Sequence, residues 1–180
     1  MKMKKYLVMA GISAMCAAGV PAVRVFAALT DRQMSLSGIE AVYVFVQGLS
    51  EETKEAGLTQ EQIQREVERK LKQAGIRAVS EEEGLKLAGN PVLYVNVSAP
   101  KRKREAAFVY HIDIGILQKV SLVREPEIRT MATTWNKGRL GYCPAKGLVE
   151  SVGETVGYLM NEFLADYGAA NPKAAVEKSS

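Results

Sequence analysis

His111 and Asp113 are the residues whose types and spacing come nearest to catalytic chemistry. Two positions apart on a strand, their side chains share a face, and a carboxylate so placed can orient an imidazole as a general base. Such a pair works with a nucleophile, and none stands at a recognisable spacing from it. A polar strand surface facing solvent is the simpler expectation, with a small exported hydrolase built on His111 and Asp113 as the alternative. His111 is the single histidine of the chain, which leaves too few ligands for an ordinary structural zinc site. No catalytic residue, metal or cofactor is therefore assigned.

Three other groups could bind rather than react. Lys101, Arg102, Lys103 and Arg104 are consecutive bases; their mutual repulsion demands solvent, and a hairpin tip supplies it. Near a negatively charged membrane each base contributes roughly 1 kcal/mol. The tip is thus a candidate contact for lipid headgroups or other anionic polymers, unless the acidic run Glu81-Glu82-Glu83 lies close enough to neutralise it. Trp135, Lys137, Arg139 and Tyr142 fall in a stretch interrupted by Gly138 and Gly141, and such a loop could hold a glycan or a peptide by stacking and hydrogen bonding. Cys143 follows directly. A lone cysteine is most often a small buried apolar residue; the alternatives are a reactive thiol or a disulfide joining two copies into a homodimer.

These residues need elements to position them. Ser37 to Gln47 reads as a central strand, apolar on both faces and so expected to be covered on each. Thr59 and Gln62 form a capping box, with Leu58 and Ile63 as a hydrophobic staple. The helix they open carries Ile63, Val67, Leu71 and Ala74 along one stripe and stops at Gly75. A short strand at Ile76 to Val79, a capped turn from Ser80 to Leu87 and a strand at Val92 to Ser98 follow. From Phe108 to Val123 the alternation is sustained, with Phe108, Tyr110, Ile112, Ile114, Ile116, Val120 and Leu122 on one face. That pattern predicts an antiparallel strand with one wet side.

Ile128 to Asn136 is expected to return as its hairpin partner. Pairing Val123 with Ile128 would bury Met131 and Trp135 opposite Val120 and Ile116. Asn136 to Ala145, with its glycines and proline, is expected to be irregular. The last helix, Lys146 to Tyr167, shows a core stripe of Leu148, Val152, Val156, Leu159, Phe163 and Tyr167. Gly153 and Gly157 are expected to let this helix pack closely on the sheet. The whole order predicts an α+β fold: a two-layer sandwich of a mainly antiparallel sheet, about five strands, with two long helices on one face.

The first 27 residues change the reading of composition. Lys2, Lys4 and Lys5, an apolar stretch from Tyr6 to Ala18 and Val25-Phe26-Ala27 have the layout of a secretory signal peptide. Cleavage is expected after Ala27, with Ala22 second. Gly19, Pro21 and Arg24 interrupt the apolar run before the roughly 18 residues that span a bilayer. Lys2, Lys4, Lys5 and Arg24 account for the formal charge of +4, leaving 20 of the 24 bases against 20 acids. A basic, nucleic-acid-binding character disappears with them, as does Cys16. The expected organisation is a signal peptide at 1–27, a flexible lead-in at 28–36, one domain at 37–167 and a disordered tail at 168–180.

Gly57-Leu58-Thr59, Ala74-Gly75-Ile76, Leu93-Tyr94-Val95-Asn96-Val97, the Gln118/Val120/Leu122 strand, Thr134-Trp135 and Phe163-Leu164-Ala165-Asp166-Tyr167 with Asn171-Pro172 resemble segments of uncharacterised exported bacterial proteins. The order of elements is also similar to small periplasmic modules such as the N-terminal domain of the Tol–Pal beta-propeller protein. The first resemblance implies export and no known activity; the second implies topology alone. Together these readings point to an exported, non-catalytic binding or assembly module of the bacterial envelope, in the periplasm or secreted. Its expected partners are an envelope protein, a lipid headgroup or a glycan, with no nucleic acid and no membrane span after cleavage. An auxiliary subunit of an envelope transport complex is a further alternative.

Overall fold

The computed structural model describes residues 28–172 apart from Lys103. The expected leader, Lys103 of the basic run and residues 173–180 of the expected tail lie outside the described residues. In chain order the elements are α1 (Asp31–Met34), β1 (Ala41–Val46), α2 (Glu51–Glu55), α3 (Gln60–Ala74), β2 (Arg77–Val79), α4 (Glu81–Gly84), β3 (Val92–Ser98), β4 (Lys101–Arg102), β5 (Ala107–Leu122), β6 (Glu125–Pro144) and α5 (Leu148–Ala170). A short 3-10 turn, Ala145–Gly147, joins β6 to α5.

The fold is an α+β sandwich with α3 and α5 layered on one face of a six-stranded sheet. β1 runs parallel to both β2 and β3. The remaining pairings, β3, β4 and β6 with β5, are antiparallel. β3 and β4 take successive stretches of the same side of β5, bending at Pro100, whose carbonyl accepts from Val109 N–H at 3.3 Å. β6 occupies the whole other side, so it is the outer edge of the sheet.

The core lies between the layers. Val42, Val44 and Val46 of β1, Leu93, Val95 and Val97 of β3, and Phe108 to Ile116 on alternate positions of β5 point at Ile63, Val67 and Leu71 of α3. They meet the predicted stripe of α5, from Leu148 to Tyr167, in the same cluster. The cap that opens α3 forms as expected: Thr59 and Gln62 exchange side-chain to backbone hydrogen bonds, Leu58 and Ile63 are buried, and Gly75 closes the helix at φ 78°. Only glycine takes that left-handed backbone without penalty.

Several expectations are corrected. The segment 28–36 is not a flexible lead-in through its whole length: Thr30 caps α1 and Leu36 is fully buried. The last helix continues through Ala170 beyond the expected end at Tyr167, and Asn171 ties it to Gly38 N–H at 2.9 Å and Leu36 O at 3.0 Å. So the stretch 168–171, assigned to the tail, is ordered. β1 is central but not covered on both faces, because among the described residues only α4 approaches the second face and Phe45 remains 47% exposed. α2, capped by Ser50, is an element additional to those expected.

The largest difference concerns the last hairpin. Leu122 pairs with Glu125 across a two-residue turn, and register shifts follow at Ser121/Leu122 and at Ile116/Leu117. Trp135 pairs with Ile116 as expected, but Met131 pairs with Lys119 rather than Val120, on the opposite face. The extra residue at Thr134 causes this one-place slip, and one place reverses the face in a strand. Asn136 to Pro144 is not irregular at all; it continues β6, paired down to Ala107. Beyond Leu117 the two strands run past β3 as an arm in which no residue from Gln118 to Thr133 is buried.

Candidate functional site

Recasting Trp135 to Tyr142 as a strand splits the expected loop site between two faces. Trp135, Lys137, Arg139, Gly141 and Cys143 pair with the core-facing positions Ile116, Ile114, Ile112, Tyr110 and Phe108, so they face the helix layer. Asn136, Gly138, Leu140 and Tyr142 face the other way, onto a sheet surface that no long helix among the described residues covers.

On the helix side each residue is engaged by the fold. Trp135 is 1% exposed, stacks edge-on against Phe163 with centroids 5.1 Å apart, and donates its indole N–H to Asp166 Oδ2 at 3.0 Å. Lys137 Nζ lies 2.7 Å from Glu162 and 3.9 Å from Asp166. The Glu162 hydrogen bond is the main reason its pKa is raised, against a smaller opposing effect of burial. Asp166 gathers this corner together. Burial opposes its ionisation, but hydrogen bonds from Trp135 and Gln33 and the charges of Lys137 and Arg32 outweigh that, holding its carboxyl below the ordinary value. Arg139 lies over the Tyr158 ring at 4.6 Å. Cys143 is 2% exposed in the core, which removes it as a presented thiol and as a ready intermolecular disulfide.

The glycines have a reason other than flexibility. A Cβ on Gly141 would drive into the Tyr110 ring, and one on Gly138 would collide with the Asp113 carboxylate. Each glycine leaves room for a side chain of β5 to lean across β6.

His111 and Asp113 do pair, Nδ1 to Oδ2 at 3.1 Å, with side chains 45% and 24% exposed. They sit on the open face, flanked by Ser98 and Asn96 on β3 and by Leu140 and Gly138 on β6. Ser98 is the hydroxyl that a relay would need. However, the free imidazole Nε2 leans towards Gly138, where a Cβ would stand 3.2 Å away, and so turns away from β3. The same face carries Tyr94, whose ring lies over Gly115 and whose phenol pKa is raised by burial and by the Asp113 charge.

Of the basic run, Lys101 and Arg102 form β4 at one end of the sheet, opposite Phe108 and Ala107, and Arg104 stands in the turn that follows. Arg102 pairs with Glu105 at 3.0 Å. Glu82 and Glu83 are spent on Lys86 and Arg77 instead, so the acidic run does not neutralise this turn. Only Cys143 and Pro144 of β6 reach its level in the register. Tyr142 stands one register position away, opposite Val109, but Trp135, Lys137 and Arg139 lie farther along β6, so the stretch as a whole does not converge with the basic turn on one groove.

What the sequence pattern does not single out is the outer edge of β6. Because Val109 N–H bonds towards β4, the even-numbered positions of β5 bond towards β6, and their partners Lys137, Arg139 and Gly141 are satisfied by β5. The alternate residues Asn136, Gly138, Leu140 and Tyr142 turn their backbone groups outwards. α1 covers one end of this edge: Arg32 Nη1 donates to Asn136 O at 3.1 Å, and Ser35 Oγ to Thr134 O at 3.2 Å. Pro144, which has no N–H, ends it at the other. Between them Gly138 to Tyr142 is open, with Leu140 69% and Tyr142 60% exposed. Natural edges are ordinarily blunted by charge, proline, bulges or cover; here cover, bulge and proline stop on either side of this stretch, and the charge within it, Arg139, is turned to the helix side over Tyr158.

A second concavity, about 720 Å³, lies between α3 and α5 and is bordered by Leu58, Ile63, Val149 and Tyr158. Gly153 and Gly157 open it rather than pack on the sheet: a Cβ on Gly153 would meet nothing within 4 Å, and one on Gly157 would stand 3.7 Å from Glu66 of α3. Among the described residues no helix is long and apolar enough to cross a membrane. No family model matches the chain, and no curated protein matches it.

Proposed function

We propose that this chain is a non-catalytic binding or assembly module of the bacterial envelope, exported by its leader, that recognises an extended polypeptide along the β6 edge. The observation that carries the reading is the uncovered stretch Gly138 to Tyr142, whose outward amides and carbonyls alternate with satisfied ones. An incoming strand would gain its affinity from main-chain hydrogen bonds and its specificity from alternate side chains, as in other strand-addition complexes. Leu140 and Tyr142 are the exposed side chains that would be read.

Two alternatives fit less well. A lipid or glycan site built from the basic turn together with Trp135 needs groups that the sheet register keeps apart, since Trp135 pairs with Ile116 and Lys101 with Phe108. A hydrolase needs His111 and Asp113 enclosed with a nucleophile, whereas they lie on the open face with the imidazole turned from Ser98.

The test is a photo-crosslinking residue at Tyr142, compared with one at Val149 beside the helix groove, in cells exporting the full chain. Discrete polypeptide adducts at Tyr142 that are absent at Val149 are expected. Adducts equal at both positions, or lipid and glycan adducts alone, would contradict the reading.

A further inference from the structure

Resting on that reading, we propose that the strand added to this edge is the same edge of a second copy, giving an antiparallel β6–β6 dimer centred on Leu140 with one continuous sheet. The open stretch is symmetric about Leu140: Asn136, held by Arg32, and Pro144, lacking an N–H, bound it at equal distances. An isologous interface demands such self-complementarity.

The register about Leu140 matches large residues with small ones. Leu140 meets its own counterpart. Tyr142 lies opposite Gly138 of the second copy, and Arg139 opposite Gly141. Each bulky side chain thus crosses to a glycine over which a β5 side chain leans, the Asp113 carboxylate at Gly138 and the Tyr110 ring at Gly141.

The polar groups are complementary as well. Asp113 leans over Gly138, with His111 bonded to it, so Tyr142 of the second copy brings its phenol to that carboxylate. A hydroxyl donating to a carboxylate is one of the stronger hydrogen bonds. On the helix side, Tyr158 lies beside Arg139, and Thr155 reaches Tyr110, the ring above which Gly141 sits. The phenol contact gives the His111–Asp113 pair a role in recognition rather than catalysis.

Sedimentation velocity of the full chain, combined with single cysteines in a Cys16→Ser, Cys143→Ala background, tests the dimer and its register. Directly paired residues have Cα atoms about 5.5 Å apart, within disulfide range, so Leu140→Cys should link two copies under mild oxidation. Tyr142→Cys should not, because its counterpart is displaced by about 13 Å along the strand. Leu140→Pro removes only an outward N–H and should weaken the dimer at least about tenfold while leaving thermal unfolding unchanged; Leu140→Lys serves if the proline disturbs folding. A monomer with no link at Leu140→Cys overturns the dimer, while Tyr142 photo-adducts to another polypeptide would still support strand addition. A dimer that links through Tyr142→Cys, or that survives both Leu140 substitutions, overturns the register.

Discussion

At the scale of the residue, Asp166 and Gly141 explain most about how the edge is held. Asp166 joins α1 through Gln33, β6 through Trp135 and the charge of Lys137. It thereby fixes the end of the edge that Arg32 then closes. Because its pKa is depressed in the folded state, its contribution is complete above the unfolded value, about 3.9, and is lost as the pH falls through the lower folded value. Asp166→Ala should cost about 1.5–3 kcal/mol near neutral pH. The difference from the parent should narrow as the pH falls below the unfolded value, as read from urea midpoints. Gly141→Ala should cost about 1–3 kcal/mol in the same measurement, since the Tyr110 ring occupies the space of its Cβ. His111→Ala, on the open face, should change stability by less than about 0.5 kcal/mol; a large loss would mean the pair is holding the sheet together.

At the scale of the element, helices are legible where capping and periodicity agree. Thr59, Gln62, Leu58, Ile63 and Gly75 all point to the same α3, so the local chemistry leaves little choice. Thr59→Ala should lower stability by about 1 kcal/mol, measured by chemical denaturation. β6 is legible only to Asn136, because Gly138, Gly141 and Pro144 imitate a loop. Their purpose is non-local: each glycine answers a side chain on β5, which a single strand cannot announce. The bulge at Thr134 is hidden for the same reason, and it displaces Met131 by one place. The arm beyond Leu117 carries no buried residue. Replacing Ser121 to Arg129 by a two-residue turn closed by the Val120–Thr130 pair should therefore leave the melting temperature nearly unchanged. A drop of more than about 5 °C, the equivalent of roughly 1–2 kcal/mol, would show that the arm is part of the cooperative unit.

At the scale of the whole molecule, the layered fold is readable because burial on one face of β5 and one stripe each of α3 and α5 requires a two-layer answer. The candidate site is not readable, because an edge exists only once the strand order is known. Lys101, Arg102, Trp135, Lys137, Arg139 and Cys143 draw notice for their chemistry, yet most of them serve as a turn, a core or a flank. Leu140, which draws none, lies where the sheet ends, beside Tyr142, which does. The central claim is that this end is where the protein is recognised. Residue-resolved amide exchange of isotope-labelled protein, alone at high dilution and then in envelope extract or at assembling concentration, addresses it most directly. The Gly138, Leu140 and Tyr142 amides should exchange freely in the dilute protein and become protected together on assembly, while those of Lys137, Arg139 and Gly141 should be protected throughout. Free exchange of the first three under every condition would contradict the claim.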